Sequence, residues 1–411
     1  NNPNLEYGLL FGAATYDPKN RVKEFTTFIP TFIDEPSEKI EGAIATDDYF
    51  AMIKNDVVML SNNVDGIYGY DAHWFDLAVG RIAAANTTEA KVLVDKIISY
   101  YDKVAGKGSS YGDWRTKIVG VTDNDNNVNT PNFDKALDAE FNKPENQIYT
   151  VNKIYTGAHQ PEATSAGVRY PSVNQAILNG IELGSNFLMY YGHGGPRSWA
   201  QERIITAEEL ANLSNFNAAY SRLPIVTTVT CDFTIWDLPQ YNSAGETMLK
   251  NPNGGALAMI TTNRPIGTGY GDDMNTYLIK EFFKKSGEEN QSIGHALNAA
   301  KLTYSPSHTN NKSVSILGDP MLSTHRPQQD IIIESIKTKK DVDVLAGGTL
   351  QALDFVTIKG NINQLNSTTI DASFKGKITV SLFEKPETNK ILSESDYVNK
   401  TFVTEDKTIY K

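Results

Sequence analysis

Cysteine occurs once in the 411 residues, at Cys231. No intramolecular disulfide can form, and a lone thiol is a candidate nucleophile only where a histidine can reach it. Histidine is also scarce, with six, and His73, His159, His295, His308 and His325 show no metal-ligand spacing, so no metal site is expected. No apolar run approaches the ~18 to 20 residues needed to cross a bilayer, and Asn1 does not begin a charged-then-apolar signal. Runs of Lys or Arg are missing and the formal net charge is -11, which argues against a nucleic-acid or anionic-membrane binder, because phosphate recognition needs clustered cations. There is no fixed-period repeat and no initiating Met. The chain opens on "NNPNLEYGLLFG", one short segment from a strand, so a natural start upstream is expected.

What is present reads as a folded chain. Hydrophobic residues make up 40% and charged residues 21%, with 20 Tyr and 17 Phe to fill cores; this is ordinary globular usage. The length exceeds what one core serves, so two or three domains are expected. Up to about residue 326, short apolar runs alternate with helical patterns, the signature of an α/β fold with a mostly parallel sheet flanked by helices. Strand candidates are Tyr7–Phe11, Lys117–Thr122, Asn186–Tyr191, Ile225–Thr230 and Ala256–Thr262, which lack clean alternation, as strands buried on both faces should. "NTTEAKVLVDKIISYY" places Asn86 as N-cap with Glu89 three positions on, and "TAEELANL" repeats the capping-box spacing with Thr206 and Glu209. After "LGDPMLSTHRPQQ", residues 330–338, 349–362 and 376–384 read as strands without helices, suggesting an antiparallel β-sandwich cut short or completed elsewhere. The expected division is 1–110 and 111–326 as two α/β subdomains and 327–411 as an incomplete immunoglobulin-like β domain.

Ligands of open parallel sheets sit beyond the carboxyl ends of the strands. There, Lys117–Thr122 leads to Asp123, Asn186–Tyr191 leads to Gly192-His193-Gly194, and Ile225–Thr230 leads to Cys231. A thiol attacks as thiolate, an imidazole beside it takes its proton and later gives it to the leaving amine, and a carboxylate on the other ring nitrogen fixes the tautomer. Cys231, His193 and Asp123 could fill these three roles, with the backbone N–H groups of Gly194 and Cys231 as oxyanion donors. Each has a bland alternative: a buried small hydrophobe for Cys231, a plain turn for His193, a cap for Asp123. The chemistry requires no cofactor. "DNDNNVNTPNFD" comes nearest to a calcium loop, with Asp123, Asp125 and Asn127 in place, but Val128 stands where glycine is needed and Asp134 where Glu is needed. A structural calcium therefore has no full motif behind it. "GTGYGDD", residues 267–273, lacks the GK[ST] of a phosphate cradle and reads as a flexible loop near the rim.

The residues "YGLLFG", "FDLAVGRIAAANTTEAKVLVDKIISYY", "NFLMYYGHGGPRSW", "LPIVTTVTCDF", "AGETML", "GGALAMITTN" and "LGDPML" occur in the order found in the gingipain-type cysteine peptidases, which the chain resembles over most of residues 5–326. The resemblance implies a caspase-like sheet followed by an immunoglobulin-like domain. It makes Cys231 the nucleophile and His193 the catalytic histidine, with Asp123 near the acidic residue that supports the histidine. Trp199 and Glu246 match family positions near the site, where packing and substrate contact are both open. Arginine-cleaving members carry an aspartate where this chain has Asn126, Asn127, Val128 and Asn129, which argues against a deep arginine pocket.

"YGLLFGAATYDPKNR", "FDLAVGRI" and the β tail look closer to the gingipain-like sortase of the Bacteroidetes type IX secretion system. That resemblance implies an exported enzyme at the cell surface, associated with the outer membrane but not integral to it through this segment. Its partners would be cargo proteins with C-terminal secretion domains, an outer-membrane β-barrel carrier and anionic lipopolysaccharide as acyl acceptor. A secreted endopeptidase of broader specificity and an inactive scaffold or adhesin are the alternatives.

Overall fold

The computed structural model describes residues 5–21, 29–34, 43–53, 75–125, 128–238, 241–286, 289–305, 308–324, 329–351, 353–365, 367–376, 378, 380, 382–383, 387–390, 401–404 and 408–410. His73, Asn126, Asn127 and His325 lie outside them. The chain divides into two compact units, one of Asn1–Lys284, Gln291–Thr324 and Phe383–Lys407, the other of Lys285–Asn290, His325–Leu382 and Thr408–Lys411.

The first unit is built on an eight-stranded sheet of β1 (Tyr7–Phe11), β2 (Ala78–Ile82), β3 (Lys117–Thr122), β4 (Thr150–Tyr155), β5 (Phe187–Tyr191), β6 (Ile225–Thr228), β7 (Ala258–Thr262) and β8 (Val314–Leu317), in the order β1-β2-β8-β7-β6-β5-β3-β4. All neighbours pair in parallel except β7 and β8. The sheet is thus two parallel blocks running in opposite directions, and β3 to β7 all end at one edge. It joins strands from before and after residue 110 in one layer.

Helices cover both faces: α1 (Thr87–Tyr101), α2 (Thr130–Phe141), α3 (Pro171–Glu182), α4 (Ala207–Ala211), α5 (Ala244–Lys250), α6 (Thr268–Phe282) and α7 (Ile293–Tyr304). Period-two alternation sends β5 to both. Phe187, Met189 and Tyr191 join one core cluster with Phe133, Met274, Phe282 and Ala296, while Leu188 and Tyr190 join another with Leu93, Ile177, Leu210 and Met248. Full burial of each such side chain contributes roughly 1.5–3 kcal/mol. Asn86 caps α1 by accepting from Glu89 N–H, and Thr206 with Glu209 forms the capping box of α4, as their spacing predicts. No helix among the described residues is long and apolar enough to cross a membrane.

Three strands carry little sequence signal. β2 contains Arg81, fully buried against Asp47, and β4 contains Lys153, paired with Asp134 and Asp138; charges compensated in the fold break the apolar run. β8 is four residues long. Two expected strands are shorter than read, β6 stopping at Thr228 and β7 starting only at Ala258. "GTGYGDD" is not a flexible loop: Thr268 to Asp273 open α6. Tyr270 is buried and donates its hydroxyl to Asn311 Oδ1 at 2.8 Å, and a Cβ on Gly271 would stand 3.2 Å from the Val229 carbonyl oxygen. The glycine lets the helix start close against the sheet, which a loop reading from composition misses.

In the second unit, β9 (Gln329–Thr338) and β10 (Val356–Gln364) form an antiparallel pair with a register shift between Ile333 and Ser335. The strand expected over 330–338 is present, and the one expected over 349–362 begins only at Val356 and runs to Gln364. The third is described only in part, at Leu382–Phe383, and the described residues do not amount to an immunoglobulin-like sandwich.

Candidate active site

β3, β5 and β6 are adjacent, with Thr122 opposite Tyr191 and Tyr190 opposite Thr228. Their outgoing segments therefore leave the sheet side by side. Gly192 has φ 158°, and a Cβ there would come within 2.4 Å of Asp123 Cβ and 2.5 Å of the Tyr190 hydroxyl; only glycine fits this turn. The turn then seats on the next strand end. Thr230 donates its hydroxyl to Gly192 O at 2.6 Å, and a Cβ on Gly194 would meet Thr230 Cγ2 at 2.6 Å and Cys231 O at 3.1 Å. The His193 turn and the Cys231 turn form one packed unit.

The glycine-rich loop has regular structure. Gly194–Gly195, Ser198–Trp199 and Ile205–Thr206 make a small antiparallel sheet, and the His193 carbonyl accepts from Tyr190 Oη at 2.5 Å and Ala200 N–H at 2.8 Å. Because the Ala200 bond flanks the Gly194–Trp199 pair, that pair is of the non-hydrogen-bonded kind, and the Gly194 N–H points out of the ladder. Asp232, directly after the thiol, holds φ 53°, a left-handed conformation that costs a non-glycine residue roughly 1–3 kcal/mol.

Asp123 takes a different place from the one expected. Its carboxylate accepts from Asn124 N–H at 2.7 Å and His193 N–H at 3.2 Å, so it clamps the backbone of the histidine. The carboxylate on the ring belongs to Asp125, whose Oδ1 lies 3.4 Å from His193 Nε2. The reason is register: Asp123 N–H still bonds Tyr191 O at 3.1 Å, which keeps Asp123 beside the β5 backbone, whereas Asp125 is two residues further out on the loop. A histidine whose Nε2 faces a carboxylate has Nδ1 left to serve as base.

Burial pushes the Asp123 carboxyl up to about 6, the Asn124 N–H pulls it back, Glu202 raises it and the His193 N–H lowers it. Burial likewise pushes the Cys231 thiol above its ordinary value; the Ile266 N–H opposes this and Asp232 adds to it. Ile266 brackets the sulfur, its N–H and its carbonyl oxygen each 3.5 Å from Sγ. Burial thus disfavours the thiolate, and a neighbouring base would favour attack.

Trp199 and Glu246 are inside. Trp199 is buried, stacks on Tyr190 with ring centroids 4.2 Å apart and donates Nε1–H to Thr228 Oγ1 at 2.9 Å. Glu246 is buried, caps α5 through Ser243 and pairs with Lys250 at 3.2 Å. Both side chains face packing partners. Within the loop compared with a calcium site, Asp123 and Asp125 serve His193, Asp134 pairs with Lys153, and Val128 is buried. No group of three or more His, Cys, Asp or Glu among the described residues is arranged to hold a metal. A cavity of about 330 Å³ lies at the carboxyl ends of β1 and β2, lined by Phe11, Ala13, Ile29 and Asn86; it includes neither Cys231 nor His193.

The fold is similar to that of the Arg-specific cysteine proteinase gingipain R (RgpB), with 15% identity, a TM-score of 0.53, and 98% of this chain and 83% of that one covered. It is similar also to the complex of Porphyromonas gingivalis RgpB pro- and mature domains, at 14% identity, TM-score 0.51, and coverage of 98% and 85%. Dimeric latent PorU from Porphyromonas gingivalis matches at 17% identity with a TM-score of 0.35, over 98% of this chain and 31% of that one. A search of curated proteins finds no match. The sequence model of peptidase family C25 matches residues 1–325. The chain therefore belongs to peptidase family C25, the gingipain family.

Proposed function

We propose that the chain is a cysteine peptidase working through an acyl-enzyme. His193 takes the Cys231 proton, the sulfur attacks the carbonyl carbon of the scissile bond, and the oxyanion is held by the N–H groups of Gly194 and Cys231. The imidazolium then protonates the leaving nitrogen, the C–N bond breaks and a thioester remains. Water or an amine attacks the thioester and returns the thiol. Asp125 orients the ring and Asp123 fixes its backbone. The observation that carries this reading is the seating of the Gly192-His193-Gly194 turn on Thr230 and Cys231.

The test is hydrolysis of fluorescently labelled casein by the intact chain and by Cys231→Ala and His193→Ala. Each substitution is expected to lower the rate at least ~10³-fold. Unchanged hydrolysis by Cys231→Ala would refute the reading.

On the sequence resemblance, we propose further that the enzyme acts at the cell surface on secreted cargo, removing a C-terminal secretion domain and passing the acyl group to an amine on lipopolysaccharide, with an outer-membrane β-barrel carrier as partner. Incubating cargo that carries such a domain with and without an amine acceptor decides this by mass. An amine adduct is expected; cleavage with hydrolysis alone, acceptor present, supports the endopeptidase alternative.

A further inference from the structure

The sulfur of Cys231 is bracketed by the backbone of Ile266, and two residues before Ile266 the chain carries a buried cation. Arg264 is 2% exposed and Asp237 is fully buried. The guanidinium grips the Asp237 carboxylate at two points, Nη1 to Oδ1 at 2.9 Å and Nη2 to Oδ2 at 2.5 Å. It also donates from Nε to Ala43 O at 2.7 Å and from Nη1 to Asn263 O at 2.6 Å. Asp237 stands six residues after Cys231 on the segment leaving β6, and Arg264 stands on the segment leaving β7. The pair therefore staples together the two stretches of chain that meet at the thiol.

Other bonds fix the same stretches. Thr234 N–H bonds Thr262 O at 3.2 Å, the Thr234 and Thr261 hydroxyls are 2.8 Å apart, and Asn263 donates its amide to Ala45 O at 2.8 Å and its N–H to Ser313 O at 3.2 Å. A buried ion pair is a poor source of net stability, since desolvation offsets its attraction, and apolar residues of similar volume often serve as well. What a two-point Arg–carboxylate grip supplies is fixed geometry.

We infer that Arg264 and Asp237 are a positioning pair for the nucleophile, holding the Ile266 backbone against the Cys231 sulfur. The inference rests on the reading of Cys231 as nucleophile. An N–H aimed at sulfur favours the thiolate as a charge-assisted bond, while a thiol donates only weakly to a carbonyl. Fixing Ile266 thus favours the reactive form against burial and against Asp232, with His193 on the neighbouring turn. Arg264 touches no reacting atom and acts through Ile266.

Because Cys231 is the sole cysteine, the pH dependence of its alkylation by iodoacetamide reads the thiol directly in the full chain, without any substrate. In the double variant R264M/D237L both charges leave together, so no unpaired buried charge remains. With its circular dichroism unchanged, the alkylation midpoint is expected to rise by about one pH unit, as loss of one charge-assisted bond implies. R264K keeps the charge but not the fork, and is expected to fall between parent and double variant; should the double variant not fold, R264K alone decides. A midpoint equal to the parent's in the folded variant overturns the inference. Casein hydrolysis by Cys231→Ala tests the nucleophile reading separately, so the two failures are distinguishable.

Discussion

Two aspartates two residues apart do different work on one histidine. Asp125 faces the ring and Asp123 the backbone N–H. Replacing Asp125 with Asn keeps the size and removes the charge that stabilises imidazolium, so casein hydrolysis is expected to fall roughly 10- to 100-fold, less than the ~10²–10⁴ that the positioned base itself supplies. Asp123 is read by stability instead. Its folded-state carboxyl, near 6, lies above the ordinary 3.8, so the folded chain holds an extra proton between those values and the Asp123 contribution grows as pH falls through 6. The stability deficit of Asp123→Ala in urea unfolding is expected to be about 2 kcal/mol larger at pH 4.5 than at pH 7. An equal deficit at both would refute the assignment. That Cys231 and His193 follow neighbouring strands is legible in the sequence because parallel strands end at one edge. The ring partner is not legible: which way a loop side chain turns two residues past a strand is set by tertiary contacts, and Asp125 stands out in the sequence only as part of a failed calcium loop.

Among the elements, α1 illustrates what periodicity reveals and hides. Its N-cap and apolar face follow from "NTTEAKVLVDKIISYY", but Lys96 is fully buried, its Nζ donating to Leu249 O at 2.5 Å. Burial, assisted by Lys107, pushes its amine down to about 7 from 10.5. The unfolded chain then binds a proton that the folded one releases between those values, so stability rises with pH across the window. Lys96→Met is expected to be more stable than the parent at pH 7, with the advantage shrinking by roughly 2–3 kcal/mol by pH 9 in urea unfolding. An advantage independent of pH would contradict this. The same concealment explains β2 and β4, where Arg81 and Lys153 interrupt an apolar run because their partners Asp47, Asp134 and Asp138 come from other elements. In α6 the opposite occurs: Gly271, in a stretch that looks like loop composition, allows close packing on Val229.

Across the whole molecule, two oppositely directed parallel blocks form one sheet, and the reversal at β8 could not be read from strands identified singly. Charged residues far apart in sequence hold Asp34, Asp47 and Asp48 within the same unit: Lys312 to Asp34 at 2.5 Å, Arg81 to Asp47 at 2.7 Å and Lys301 to Asp48 at 2.8 Å. Such pairings have no local signature. β5 and β6 release the chain toward His193 and Cys231 at one edge of the sheet, which strand ends in the sequence reveal, whereas these ion pairs have nothing local to reveal them. In the second unit, β9 and β10 follow from their β-branched runs, and Ile331, Ile333 and Phe355 remain exposed.

In the proposed mechanism Cys231, activated by His193, forms a covalent acyl-enzyme. Intact-mass analysis of acid-quenched mixtures of the full chain with a thioester-forming peptide ester detects this intermediate. A single peptidyl adduct on Cys231 is expected in the parent, formed at least ~10²-fold more slowly in His193→Ala. Equal adduct formation in the parent and in His193→Ala, or an adduct elsewhere that persists in Cys231→Ala, would contradict it.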